Sequence, residues 1–120
     1  MHERSSFLTL TYSDENLPSN YSVNVRDLQL FNKRLRKALG HQRVRFFACG
    51  EYGGQRLRPH YHSILFGYDF PDKQPWRKTP AGYITYRSAF LDKIWTLGHA
   101  EIGTVTLESA GYVARYVTKK

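Results

Sequence analysis

Acidic residues are scarce in this chain. Ten Asp and Glu stand against 18 Lys and Arg, a formal net charge of +8. A surface with so little negative charge favours a polyanionic partner. The same charge also serves plain solubility, and charge alone does not separate DNA from RNA or from an acidic membrane. Cysteine is nearly absent. The single Cys49 excludes an internal disulfide and a Cys-rich zinc site, and it fits an intracellular setting, the host cytoplasm for a phage protein. Long apolar runs are missing, so no stretch approaches the roughly 18 residues of a membrane helix, and no membrane partner is expected. Met1-His2-Glu3-Arg4-Ser5-Ser6 leads into no apolar signal-peptide core. No Gly-rich loop ending in Lys-Ser/Thr is present, so no nucleotide cofactor is expected. There is no repeat and no low-complexity segment. With 120 residues, the chain is expected to form one domain over 1–120. The uncapped ending at Lys119-Lys120 suggests a domain excised from a longer protein.

Apolar residues are present in patterned form. Phe7-Leu8-Thr9-Leu10-Thr11-Tyr12 alternates and predicts a strand. Residues 13–22 are rich in Ser, Asp and Asn with Pro18, and read as a loop. Asn24 is placed to cap a helix, with Asp27 in its first turn. Leu28, Phe31, Leu35 and Leu39 follow at helical spacing and Gly40 ends the run. Lys33, Arg34, Arg36 and Lys37 make its other face basic, a solvated face in the plain reading and a DNA-backbone contact in the second. Residues 43–49 read as a second strand, and Gly53-Gly54 marks a hairpin turn to a third strand, residues 60–66. Residues 71–82 read as a Pro-punctuated basic loop, and 83–86 as a short extended segment. Ser88 is placed to cap a helix through Trp95, ended by Gly98. Glu101–Leu107 reads as a fourth strand, and Ser109 as the cap of a last helix from Ala110 onward. This order predicts an α+β fold: an antiparallel sheet of four to five strands with helices packed on one face.

His60 and His62 stand two apart in an apolar strand, so both rings project from one face while Tyr61 points away. Such a pair suits a divalent metal, although two strand histidines making local hydrogen bonds would look the same. Glu51, nine positions before His60, returns beside the pair if the strands form a hairpin. One carboxylate with two imidazoles suits Mn²⁺, or Mg²⁺ when phosphate oxygens complete the shell. The alternative for Glu51 is an ion pair with Arg56 or Arg58, and His99 and Glu101 are weaker candidates for the third ligand. Tyr112 and Tyr116 lie four apart, on one side of a helix. Arg115 and Lys119 each follow a tyrosine by three. A phenol with a pKa of about 10 is a poor nucleophile at neutral pH, and a nearby cation or a polarised phosphate eases its attack. Tyrosines at this spacing also pack into cores, and Val113 and Val117 compete for the buried face. The two signals strengthen each other, because a metal polarises phosphate and an activated tyrosine attacks it.

These residues carry a resemblance to the HUH endonuclease superfamily. Arg58-Pro59-His60-Tyr61-His62-Ser63-Ile64-Leu65-Phe66 resembles its metal motif, and Phe7-Leu8-Thr9-Leu10-Thr11-Tyr12 its first-strand motif. Gly111-Tyr112-Val113-Ala114-Arg115-Tyr116-Val117-Thr118-Lys119-Lys120 resembles the paired-tyrosine motif of microvirus replication initiators of the gokushovirus type. The motifs occur in family order over nearly the whole chain.

The resemblance implies a ferredoxin- or RRM-like sheet with the histidines on a central strand and the tyrosine helix packed beneath it. It implies Mn²⁺ or Mg²⁺ on His60 and His62, and attack by Tyr112 or Tyr116 on a phosphodiester of a single-stranded replication origin. That attack leaves a 3′-hydroxyl and a 5′-phosphotyrosine, and the second tyrosine serves the next round of rolling-circle replication. Where the family often has lysine between the tyrosines this chain has Arg115, which does not readily donate a proton. Lys119 is therefore expected to assist the leaving group or position phosphate. Arg56, Arg58, Arg77 and Lys78 are expected to track the DNA backbone and Trp76 to stack on an unpaired base, where plain solvation is the alternative. Host replication proteins are admitted as further partners. Two other readings stay open: a relaxase or transposase of the same superfamily, and a noncatalytic RRM-like module that binds single strands by stacking.

Overall fold

The computed structural model describes residues 4–18, 22–53 and 58–118, and leaves the side chains at 51–53, 108, 112 and 115–118 undescribed. The alternating first segment becomes β1 (Ser5–Tyr12), with Ser6, Leu8, Leu10 and Tyr12 buried and the intervening residues half-buried. Helix α1 (Val25–Leu39) begins where expected. The Asn24 side chain accepts from the Arg26 N–H at 3.0 Å, and Gly40, at φ 64°, gives its N–H to the carbonyls of Arg36 and Lys37. Phe31, Leu35 and Leu39 form its buried side.

Strands β2 (Arg45–Gly53) and β3 (Arg58–Phe66) form the expected antiparallel pair. The basic loop expected over 71–82 is in part a strand, β4 (Gln74–Lys78), paired with β5 (Ile84–Arg87). All five β4 residues are exposed and Trp76 is bulged out of register, so there is no buried alternation to reveal the strand. Helix α2 (Ala89–Trp95) is capped by Ser88, whose hydroxyl accepts from the Leu91 N–H at 3.1 Å.

The helix ends at Thr96 in a left-handed conformation, φ 49°. Gly98, expected to end it, instead opens β6 (Gly98–Gly103). A Cβ there would meet the Thr11 carbonyl oxygen at 2.0 Å. That close approach to β1 is why glycine stands at this position. The fourth strand expected at Glu101–Leu107 is therefore displaced toward the N-terminus. Helix α3 (Leu107–Thr118) also starts earlier than the expected Ala110. Thr106 and Ser109 bond reciprocally, the Ser109 N–H to the Thr106 hydroxyl at 3.1 Å and the Thr106 N–H to the Ser109 hydroxyl at 2.8 Å.

The six strands form one sheet in the order β2-β3-β1-β6-β5-β4, with every pair antiparallel. The fold is thus α+β as expected, with six strands rather than four to five. One face carries Leu8, Leu10, Tyr61, Leu65 and Ile102 and packs against Phe31 and Leu35 of α1 and Leu91 and Trp95 of α2. Helices were expected on one face only, but α3 lies on the other. There Val113 packs with Cys49 and Ile64, bordered by Phe7, Phe66, Val105 and Ala110. The sheet's alternation leaves a smaller apolar strip on this second face, and that strip takes the third helix.

Candidate nuclease site

The second face of the sheet carries the histidine pair. His60 and His62 are half-buried in β3, with ring centroids 4.9 Å apart and planes at 84°. His60 Nδ1 lies 3.3 Å from the Arg58 carbonyl oxygen. A carbonyl only accepts, so Nδ1 carries the proton and Nε2 the lone pair. His62 Nδ1 lies 3.2 Å from the Thr9 hydroxyl, and the ring stacks on Phe7 at 5.2 Å and 17°. When Nδ1 donates to Thr9, Nε2 becomes the basic nitrogen here too. Hydrogen bonds to the distal nitrogen of this kind fix ring orientation at metal sites.

The strand register arranges this face in two rows. One runs Cys49, His62, Thr9, Glu101; the other runs Glu51, His60, Thr11, His99. Glu51 is thus registered directly opposite His60, in the hairpin the spacing suggested, although its side chain is not described. His99 and Glu101 stand two strands from the histidines, roughly 9–10 Å along the sheet. Among the described residues no three His, Cys, Asp or Glu side chains form a group able to hold a metal. The described chain supplies two imidazoles to such a site, and register brings one carboxylate position beside them.

Glu101 has another partner. Arg77 Nε and Nη2 donate to its two carboxylate oxygens at 3.0 and 3.1 Å, and the glutamate side chain is only 16% exposed. Burial alone would raise the Glu101 pKa. The hydrogen bonds from Arg77 and Thr85 and the charges of Arg77 and Arg87 outweigh it, so the pKa falls below the usual carboxylate value.

Helix α3 brings the tyrosine positions to the histidine face. Val113 is buried against Ile64, two residues along β3 from His62, and against Cys49, the register partner of His62. Val113 thus takes the core side of α3. Positions 112 and 116 flank it within one turn, and their side chains, with that of Arg115, are not described. Lys119 and Arg56 lie outside the described residues.

The other residues expected to touch DNA are dispersed. Arg58 is tied to Asp14 and to the Tyr12 carbonyl, both at 3.0 Å. Trp76 is 49% exposed on β4, with the guanidinium carbons of Arg77 and Arg87 at 4.7 and 5.2 Å from its ring centroid. Lys78 is exposed at the end of β4. Thr9 and Phe7 were not anticipated as partners of His62. The alternation of β1 already set them on the face opposite Leu8 and Leu10, and only the β1–β3 register was missing.

A sheet with a histidine pair and a tyrosine-bearing helix on one face defines the class of arrangement, and comparison with known proteins gives the family. Residues 5–120 match the replication-associated protein ORF2 family, and the chain belongs to it. The chain is 39% identical to the replication-associated protein VP4 of Bdellovibrio phage phiMH2K, over 100% of its own length and 40% of the relative's. It is 38% identical to the replication-associated protein ORF2 of Spiroplasma virus 4, over 95% of its length and 38% of the relative's. It is 32% identical to the replication-associated protein ORF4 of Chlamydia phage 1, over 99% and 31%. The chain therefore spans less than half the length of these relatives. No solved structure matches it significantly. No described helix is long and apolar enough to cross a membrane.

Proposed function

We propose that this domain initiates phage DNA replication by nicking and rejoining single-stranded DNA through a 5′-phosphotyrosine, as an HUH-type nuclease. The observation that carries the reading is that α3, which bears Tyr112 and Tyr116, packs on the same sheet face as His60 and His62. Membership of a replication-associated family and a net charge of +8 support a nucleic-acid substrate.

His60 and His62, through their Nε2 atoms, with Glu51 beside them, would hold Mn²⁺ or Mg²⁺. Such an ion supplies Lewis-acid stabilisation of charge on the scissile phosphate. Thr9 and the Arg58 carbonyl keep the imidazoles oriented. The phenolic oxygen of Tyr112 or Tyr116 attacks phosphorus and gives up its proton. The bond to the 3′-oxygen breaks, and that oxygen takes a proton, with Lys119 as its donor or as a phosphate clamp. The phosphotyrosine ester conserves the bond energy, so rejoining requires no nucleotide. Arg56, Lys78 and Arg115 are assigned to the DNA backbone.

The test is incubation of the protein with a pool of randomised single-stranded oligonucleotides and Mn²⁺, followed by denaturing electrophoresis. A DNA-linked band is expected, with the linked peptide containing Tyr112 or Tyr116 by mass spectrometry. Changing both tyrosines to Phe should abolish it. Binding without any covalent band would make the domain a stacking module, and a band that persists in the double variant would refute the nucleophile assignment.

A further inference from the structure

A cleft of about 430 Å³ opens beside His62 on the histidine face. Phe7 and His62 close one end, Tyr83 and Ile84 of the β4–β5 hairpin form a wall, and the cleft runs past Arg77 and Glu101 to Thr106 at the start of α3. Its volume is that of a small-ligand site and takes one nucleotide, not a duplex. Tyr83 and Ile84 are 52% and 45% exposed, which is unusual for side chains of that size unless something covers them.

The polar content of the cleft is distinctive. Arg77 is the cationic group in its lining and Glu101 the acidic one, and they neutralise each other through two hydrogen bonds. A phosphate gains little from a neutralised pair, whereas a flat neutral heterocycle gains donors and acceptors together. A carboxylate has about four lone-pair sites and Arg77 uses two, so acceptor capacity remains on Glu101 next to the remaining Arg77 N–H groups. Apolar walls with a fixed donor–acceptor edge are what an unstacked base requires.

Gly103 keeps the cleft open. It is the register partner of Phe7, and a Cβ added there would lie 3.7–4.0 Å from Phe7 atoms, in ordinary contact. The backbone therefore accepts a side chain at this position, and a larger one would extend toward the cleft.

We propose that this cleft receives one unpaired nucleobase of the DNA strand, read at its edge by the Arg77–Glu101 pair. The proposal rests on the nuclease reading and deepens it. Because His62 lines the same cleft, the recognised base belongs to a nucleotide beside the phosphate that is cut, so the pair contributes to the choice of cleavage sequence.

The experiment is an amide NMR titration of the protein with each of the four deoxynucleoside 5′-monophosphates, with inorganic phosphate as the control. We expect at least one nucleotide to shift Ile84, Gly103 and Thr106 in a way that phosphate does not. Gly103→Leu should weaken that response at least tenfold, and Glu101→Gln should change which base gives the largest shift. Equal responses to all four nucleotides and to phosphate, or unchanged binding by Gly103→Leu, would overturn the proposal. Mn²⁺ broadening at His60 and His62 is read on the same samples. Its absence counts against the nuclease reading, whereas intact broadening without a base-dependent shift overturns the cleft assignment alone.

Discussion

The two faces of the sheet are built from alternate residues of the same strands, yet they do opposite work. On β1, Leu8, Leu10 and Tyr12 are sealed under α1 and α2, while Phe7, Thr9 and Thr11 stay half-buried beside the histidines. On β3, Tyr61 and Leu65 belong to the first face, and His60 and His62 to the second. A rigid, dry face holds the strands in register, and the register sets the row Cys49, His62, Thr9, Glu101 on the wet one. Preorganisation of a site on a sheet comes from packing on the side away from it.

The sharpest way to break this division is truncation on each side. Trp95 is fully buried, its ring lies against those of Tyr12, Phe31 and Tyr61, and its Nε1–H donates to the Thr11 carbonyl at 2.8 Å. Trp95→Ala is expected to cost about 3–5 kcal/mol in urea unfolding. His60→Gln, only one strand away, should change stability by about 0.5 kcal/mol or less while removing Mn²⁺ binding and lowering DNA cleavage by about 100-fold or more. Comparable stability losses for the two variants would mean that the faces are not functionally separate.

A smaller effect is expected where the faces meet. Tyr61 sits between the two histidines and points into the core. Its hydroxyl accepts from the Asn24 N–H at 2.6 Å and reaches the Asn24 carbonyl at 2.9 Å and the Tyr12 hydroxyl at 2.7 Å. Tyr12 in turn donates to Asp27 at 2.6 Å. The histidine strand is thereby fastened to the cap of α1. Tyr61→Phe should cost about 1–3 kcal/mol, since it leaves the buried backbone groups of Asn24 with a lost partner. A loss within error of zero would show that water replaces the hydroxyl.

Most of this scaffold was legible because its residues obey strong local rules. Asn24, Ser88 and the Leu28–Leu39 stripe fixed two helices, and alternation fixed β1 and the histidine strand. What escaped depends on partners distant in sequence. β4 is fully exposed and bulged at Trp76, so its strand character comes from pairing with β5. Gly98 looked like a helix stop because glycine commonly is one, but its role is to admit the Thr11 carbonyl 87 positions earlier in the chain. The placement of α3 on the opposite face required knowing that Cys49 and Ile64 share a strip. His60, His62 and the register of Glu51 could be anticipated from the hairpin, whereas the Arg77–Glu101 pair joins β4 to β6 and no local spacing announces it.

The smallest expected effects carry opposite signs of pH on the two faces. Burial, with the hydrogen bonds to Asp27 and Tyr61, pushes the Tyr12 phenol well above its ordinary value. A folded-state pKa above the unfolded value of about 10 means that this face is at full strength below pH ~10 and weakens as pH rises beyond it. Glu101 behaves in reverse. Its folded pKa is depressed, so its contribution is present above the unfolded carboxylate value of about 4.3 and is lost as pH falls through the lower folded one. Arg77 is largely solvated, with 59% of its side chain exposed, so the pair should contribute about 1 kcal/mol or less. Asp72, held low against its own desolvation by the Ser88 hydroxyl and the Phe90 N–H, shares the acid limb. Thermal unfolding across pH should therefore show Tyr12→Phe flattening only the alkaline limb and Glu101→Gln flattening part of the acid limb. If Glu101→Gln leaves the acid limb unchanged, the ion pair is a solvent-exposed contact without energetic weight, and a base-reading role for it would have to rest on geometry alone.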